Sequence, residues 1–277
     1  LGPERVREAA RRLELYRQGK QKLDARLCDE AQWWQARHGA GSREGDSRRC
    51  ARPVSAWLFN SVCSKHADLC DRIPVCTALP REAGDEADAA MLSKILPVIC
   101  ERCRFPQLYA DNAWNKLKHG MAAYGVFWDP RLENGLGDIN IRRVDVLNLF
   151  WEPGVQDIQQ SPHLFYVQLE RNEALQEAYP QLEGKLGGRR MELTRYLYDD
   201  TVDTSDKTMV ADWYYKKGGR LHYCKFAAGE VLFATENEPE YARRGLYDHG
   251  QYPFVLDVLF EDEGTPAGFG YLDVMKP

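Results

Sequence analysis

The chain has 277 residues, of which 44% are apolar and 29% charged, and its formal net charge is −5. This composition is that of an ordinary globular protein with room for one large core or two modest ones. The excess of acidic residues argues against tight nonspecific wrapping of nucleic acid, which needs many Lys and Arg at the phosphates. No window of about 18 uncharged apolar residues occurs, so we expect no membrane-spanning segment.

The eight cysteines lack the regular spacing of a disulfide framework, which predicts reduced thiols. Cys100 and Cys103 form a CxxC pair, but no second pair of ligands follows at the spacing of a tetrahedral zinc site. We therefore expect no metal and no cofactor. The N-terminal residues 1–12 have neither an apolar core nor a cleavage-like site, which argues against secretion.

Helical periodicity begins at residue 3 and continues to about residue 38, with Arg and Glu opposite an apolar stripe. Such a helix either covers its own domain or forms an arm that reaches another subunit. Residues 39–53 are rich in Gly, Ser and Arg and predict a mobile loop. We therefore expect an N-terminal helical arm and loop over residues 1–53, and one mixed domain over residues 54–277.

Further helices are predicted over residues 56–69, 82–103 and 107–121, and Pro97 is expected to kink or break the second of these. Asp85, Glu86 and Asp88 could be imagined as a metal cluster. Acidic residues are also favourable at the positive end of a helix, and we prefer that interpretation.

The stretch from Gly120 to Gly154 predicts an antiparallel sheet. Residues 123–128 and 138–144 are β-branched and aromatic runs around a glycine-bearing loop, which is typical of a hairpin. A third run, residues 146–151, ends at a Glu152-Pro153-Gly154 turn. We interpret the three runs as the nucleus of one sheet.

The second half of the chain predicts more strands than helices. A short helix is expected over residues 173–179, a loop over 185–190, and strands over 163–170, 192–198, 210–216, 221–226 and 230–235. Lys217-Gly218-Gly219 predicts a tight hairpin turn, because Gly-Gly tolerates positive φ at both turn positions. The expected fold class is therefore α+β, with an antiparallel sheet and N-terminal helices.

Catalytic motifs are absent from the sequence. There is no GxSxG, no HExxH, no phosphate-binding Gly-rich loop and no dinucleotide fingerprint. The acidic run Glu261-Asp262-Glu263 is expected in an exposed turn, where Mg²⁺ would need further convergent carboxylates. We expect no enzyme. A metal-dependent enzyme acting on nucleic acid, through the acids near 85–88 or 261–263, is kept as an alternative.

An ordered series of segments carries a family resemblance. The stretch 245–277 contains a Gly-x-x-Pro-hydrophobic strand at Gly250–Phe254, an acidic turn, and a Gly-x-Gly followed by aliphatic residues, Asp and Lys at Gly268–Lys276. It resembles the segment of tailed-bacteriophage portal proteins that leads from the wing domain towards the first stem helix. Similar upstream segments are Asp29-Glu30 with Trp33-Trp34 and Arg37-His38, Trp57 to Asn60, Lys65 to Asp68, Leu79 to Glu82, and Val144 to Gly154.

The resemblance is strongest to portals of siphovirus-like prophages of Gram-positive bacteria, and it implies a portal wing-like domain. A portal chain continues through a stem, a clip and usually a crown, so the match implies the N-terminal wing region alone. The implied protein is a structural subunit of a ring, a dodecamer, at one capsid vertex of the virion, assembled in the cytoplasm of the bacterial host. The alternative is another phage head or connector component.

The resemblance also implies partners. They are further copies of the chain, the terminase large subunit, the head–tail connector and capsid proteins, and double-stranded DNA that passes through the channel without sequence-specific binding. No membrane is implied. The residues expected to matter for structure lie at the sheet turn, in the late strand and at the exit towards the stem: Trp151, Pro153, Gly154, Pro253, Phe254, Gly268 and Gly270. Candidate contacts between subunits are Trp33, Trp34 and Trp57.

Overall fold

The computed structural model describes residues 1–36, 56–186 and 205–276. The α-helices are α1 (Pro3–Trp34), α2 (Trp57–Cys70), α3 (Glu86–Arg102), α4 (Phe105–His119), α5 (Asn172–Ala178), α6 (Pro239–Arg244) and α7 (Tyr271–Met275). The strands are β1 (Met121–Asp129), β2 (Asp138–Val144), β3 (Leu149–Trp151), β4 (His163–Arg171), β5 (Lys207–Lys217), β6 (Arg220–Ala227), β7 (Glu230–Ala234), β8 (Phe254–Val258), β9 (Phe260–Glu261) and β10 (Gly268–Phe269). The predicted α+β class with antiparallel sheets is confirmed.

The chain divides into two compact units, each assembled from separated stretches. Unit 1 comprises Leu1–Asp29, Asp145–Tyr252 and Asp262–Pro266, and unit 2 comprises Glu30–Val144, Pro253–Glu261 and Ala267–Pro277. Residues of α1 therefore belong to both units. The predicted boundary between residues 53 and 54 lies outside the described residues, so the division into an arm and one large domain stays a prediction.

Unit 1 is built on a five-stranded antiparallel sheet in the order β3-β4-β5-β6-β7. The apolar stripe of α1, at Val6, Ala9, Leu13 and Tyr16, packs on one face of this sheet. On the other face, α5 contributes Leu175 to a smaller cluster. Neighbouring residues alternate between these clusters as the pleat of a strand requires: Ala211 and Phe226 face α1, whereas Val210 and Ala227 face α5.

Unit 2 combines helices with a three-stranded antiparallel sheet in the order β2-β1-β8. Its core joins α2, α4 and α7 through the buried side chains of Val62, Leu117 and Leu272. A two-stranded ribbon, β9 with β10, precedes α7. Of the late stretch, Pro253–Glu261 and Ala267–Pro277 belong to this unit, whereas Asp262–Pro266 belongs to unit 1.

Two turn predictions are confirmed. Residues 123–129 pair with 138–144 in the predicted β1–β2 hairpin. At the second turn, Gly218 and Gly219 have φ of +57° and +75°, and Lys217 pairs with Arg220 across them. Positive φ at both central residues is the geometry that fits the right-handed twist of the flanking strands.

The interpretation of residues 120–154 as one sheet was wrong. Residues 146–148 form a 3₁₀ turn in which the Asp145 carboxylate accepts the Leu147 amide at 3.0 Å. β3 then pairs with β4, in the sheet of unit 1. The second edge of β1 is taken instead by β8, with Met121 opposite Val258.

Pro97 does not break its helix, because α3 continues to Arg102 with Pro97 inside it. The helix ends where Arg104 adopts a left-handed conformation, with φ of +51°, immediately before α4. The loop predicted over residues 39–53, the strand over 192–198, the end of the first helix near residue 38 and most of the loop over 185–190 lie outside the described residues. Within the described part of the chain, no helix is both long and apolar enough to cross a membrane.

Candidate functional site: a glycine crossing and an exposed apolar helix face

The acidic residues considered for metal binding are all exposed. Asp85, Glu86 and Asp88 lie at the start of α3, whereas Glu261 ends the short strand β9 and Asp262 and Glu263 follow it. Among the described residues, no three His, Cys, Asp or Glu side chains are grouped so that they could share a metal ion. The acids at the start of α3 have the placement that a favourable interaction with the helix dipole requires.

The predicted turn at Trp151 to Gly154 closes the edge strand of unit 1. Trp151 is buried in β3, and the Glu152 amide donates to the Ser161 hydroxyl at 3.0 Å. Pro153 lies against Gly19 of α1, where a Cβ would come within 2.4 Å of the proline ring. Gly154 has a φ of +87° in open space, so its role is backbone conformation alone.

Pro253 and Phe254 join β8 to the hairpin of unit 2. The Pro253 carbonyl accepts the Val126 amide at 2.9 Å, which extends the pairing of the two strands. Phe254 is fully buried and meets Phe127 edge to face, with ring centroids 5.5 Å apart. The Pro253 bond and the aromatic contact therefore add to the pairing of β8 with β1.

Gly268 and Gly270 take part in a close crossing of two backbones, which we call the glycine crossing, with Gly120 as its third member. A Cβ on Gly270 would lie 2.5 Å from the Gly120 nitrogen, and one on Gly268 would lie 2.4 Å from the Phe260 carbonyl oxygen. The Gly120 carbonyl in turn accepts the Leu259 amide at 2.8 Å. The end of α4 and the segment entering α7 thus approach more closely than any side chain would permit.

The three tryptophans named as candidate contacts have different environments. Trp34 is half-buried and packs on Phe59 and Trp114, with ring centroids 4.7 and 5.5 Å away. Trp33 is also half-buried, whereas Trp57 at the start of α2 is 75% exposed. Of the three, Trp57 has the exposure that a contact with another molecule requires.

Helix α3 is apolar on two opposite faces. One face, with Ala89, Ser93, Leu96 and Cys100, is turned towards the chain itself. The other, which we call the apolar face of α3, carries Met91, Ile95 and Val98 at helical spacing, exposed by 55%, 43% and 44%. Leu92 beside it is 49% exposed. A continuous row of this kind on a helix surface is typical of an interaction surface.

Sequence reasoning missed two buried charged pairs. In unit 1, the Lys20 ammonium lies 2.6 Å from Asp24 and donates to the Val146 carbonyl at 2.7 Å. In unit 2, His119 Nδ1 lies 2.7 Å from a Glu30 carboxylate oxygen. A signal for the first pair existed, because Lys20 continues the spacing of the α1 stripe one turn after Tyr16. Local spacing carries no signal for a pair 89 residues apart.

Burial sets the protonation behaviour of the Lys20–Asp24 pair. Desolvation lowers the pKa of Lys20, and the Asp24 carboxylate opposes that shift. The pKa of Asp24 is raised by desolvation, against the effect of Lys20. Through the bond from Lys20 to the Val146 carbonyl, the pair holds α1 against the turn before β3. Because both charges are buried, removal of either partner would leave the other uncompensated.

Comparison with known proteins adds no relative. A scan against protein-family models finds no match to the sequence, and a search of curated proteins finds none either.

Proposed function

We propose that this chain is a structural subunit of a tailed-bacteriophage portal ring, the assembly at one capsid vertex through which DNA is packaged and ejected. The observation that carries the proposal is the ordered series of portal-like segments, which extends from Asp29-Glu30 to Gly268–Lys276. No single motif in the series is specific. The order of the segments along nearly the whole chain is what supports the proposal.

In this proposal the apolar face of α3 is a contact surface between copies of the chain. A ring subunit needs surfaces that become buried only when neighbours assemble, and those surfaces remain exposed in an isolated chain. The side chains of Met91, Ile95 and Val98 are exposed in the isolated chain. We propose a second copy of the chain as their partner in the ring.

The charge balance fits a conduit for DNA. The chain carries 37 basic and 42 acidic residues. A body with an acidic excess creates no deep electrostatic wells for phosphates, so DNA would slide past it without being gripped. Catalysis is not part of the proposed role.

Assembly state is the first test. Light scattering coupled to size exclusion, followed by negative-stain microscopy, should show rings with a central hole at high protein concentration. Ile95→Asp should shift the population towards monomers, because a carboxylate would be buried at the contact. Lys94→Asp, which places the same group on a neighbouring exposed and already polar position, is the matched control and should leave assembly intact.

A strictly monomeric particle at high concentration, with no response to Ile95→Asp, would contradict the proposal. Binding to a terminase large subunit is the second test, because only a portal should retain the motor. Rings that form but do not retain the motor would favour the alternative, another phage head or connector component.

A further inference from the structure

The segment of residues 73–80, which we call the strap, lies between α2 and α3 in the chain and contacts α3 at Ser93. The Ser93 hydroxyl fixes its position twice: it accepts the Ala78 amide at 3.0 Å and donates to the Ala78 carbonyl at 3.1 Å. These two bonds hold Ala78 of the strap against Ser93 of the helix.

Each of the two segments joined by this contact carries a cysteine. Cys100 lies two helical turns after Ser93, on the same face of α3 and about 10 Å further along the axis. Cys76 is two residues before Ala78 and so at most about 7 Å from it.

The electrostatics agree with this placement. Burial raises the pKa of the Cys100 thiol, and the neighbouring thiols of Cys76 and Cys103 raise it further. Interactions of this kind require the Cys100 sulfur to lie near each of the other two thiols. Cys100 therefore has two thiol neighbours, one on the strap and one at the end of its own helix.

The three thiols differ in what surrounds them. Cys76 is exposed, whereas Cys100 and Cys103 are half-buried. The Cys103 sulfur contacts the backbone of β2, where it donates to the Ile139 carbonyl and accepts the Ile141 amide, each at 3.4 Å. Cys103 is thus held by the sheet, while Cys76 is open to a reagent in solution.

We propose that Cys76 and Cys100 form a reversible disulfide that fastens the strap to α3, with Cys76 as the thiol that reacts first. The modification is independent of the proposed portal function, because it requires only the fold of unit 2. The oxidant is a small-molecule disulfide of the glutathione class.

The chemistry proceeds in two exchanges. The Cys76 thiolate attacks one sulfur of glutathione disulfide, the bond between the two glutathione sulfurs breaks, and one glutathione leaves as a thiolate that takes up a proton. The Cys100 thiolate then attacks the Cys76 sulfur and displaces the second glutathione. Two protein thiols are oxidised to one disulfide, and one glutathione disulfide is reduced to two glutathione molecules.

Peptide mapping by mass spectrometry tests the pairing. The reduced native chain is incubated with glutathione disulfide, quenched by alkylation and digested. We expect the peptide containing Cys76 to be linked to the one containing Cys100, at a level on the order of tenfold above any other linked pair, because the fold holds these thiols together. In urea the preference should disappear.

Cysteine variants and trypsin digestion test the same disulfide in two further ways. Cys103→Ser should keep the link, whereas Cys100→Ser should stop at a glutathione adduct on Cys76. Trypsin cleavage after the exposed Arg72 and Arg81 should release the intervening peptide from the reduced chain and leave it attached in the oxidised chain. A stable glutathione adduct on Cys76 of the unaltered chain, or a link from Cys76 to Cys103, would overturn the proposal.

Discussion

Gly120 and Phe269 meet backbone to backbone: a Cβ on Gly120 would lie 2.1 Å from the carbonyl carbon of Phe269. Gly120 also has a φ of +74°, the left-handed conformation that ends α4. Two independent requirements, sterics and backbone conformation, therefore exclude a side chain at this position. The Gly-x-Gly at residues 268–270 owes its glycines to the same crossing.

Gly120→Ala should lower the free energy of unfolding by about 3 kcal/mol or more, because both requirements are violated and the opposing group is backbone that cannot move aside. Gly154→Ala is the matched control, since Gly154 also has positive φ but faces open space. It should cost about 1 kcal/mol. Urea denaturation measures both, and equal losses would show that the crossing is not tight.

Lys20→Met should destabilise the chain by about 3–5 kcal/mol, because it leaves the Asp24 carboxylate buried without its cation. The double variant Lys20→Met/Asp24→Leu removes both charges and should recover most of that loss. The test is a double-mutant cycle in urea. Additive losses for the two substitutions would contradict a coupled buried pair.

The low pKa of His163 predicts that unit 1 becomes less stable in acid. Desolvation, with Arg12 and Arg5 nearby, lowers the pKa of His163 to about 4, and its Nδ1 accepts the Trp213 indole N–H at 3.1 Å. The unfolded chain, with an ordinary histidine pKa near 6.5, binds this proton first. The neutral His163 side chain therefore makes its full contribution to stability above about pH 6.5. That contribution, on the order of 2 kcal/mol, is lost as the pH falls towards 4.

His163→Asn should flatten the dependence of unfolding free energy on pH between about 6.5 and 4, whatever it does to stability at neutral pH. His249→Asn, at an exposed position, is the control and should leave the slope unchanged. The measurement is chemical denaturation across a pH series. The same slope in His163→Asn and the unaltered chain would refute the assignment.

The half-buried Lys118 predicts a second pH dependence with the same sign, at higher pH. Desolvation, together with Arg143, lowers the pKa of Lys118 to about 8, and its ammonium lies 5.5 Å from the centre of the Trp34 ring. The folded chain releases this proton near pH 8 and the unfolded chain near 10.5, so stability should rise with pH between these values.

Lys118→Met should therefore stabilise the chain at pH 7 by about 1–2 kcal/mol, since the contact with Trp34 offsets part of the desolvation cost. The gain should shrink towards pH 10. Lys94→Met, at an exposed position of α3, is the comparison and should change little. Destabilisation of Lys118→Met at pH 7 would mean that the contact with Trp34 outweighs desolvation.

The type of most elements could be read from the sequence, because periodicity and turn chemistry are local. The helical spacing of Val6, Ala9, Leu13 and Tyr16 predicted the buried stripe of α1, and Gly218-Gly219 predicted its turn. The short helices α6 and α7 were not predicted, since segments of six and five residues leave little periodic signal. The sequence predicts a structural role for Gly268 and Gly270, but it gives no sign that Gly120 is the residue they lie against.

The sequence by itself determined the fold class, the hairpins and the absence of catalytic motifs. Only the tertiary structure decided which sheet each strand joins, that β8 pairs with β1 across more than a hundred residues, and that Ser93 holds Ala78 against α3. The physical reason is that the period of a helix or strand is set by neighbours in the chain, whereas partners distant in sequence are selected by the burial and packing of the complete fold.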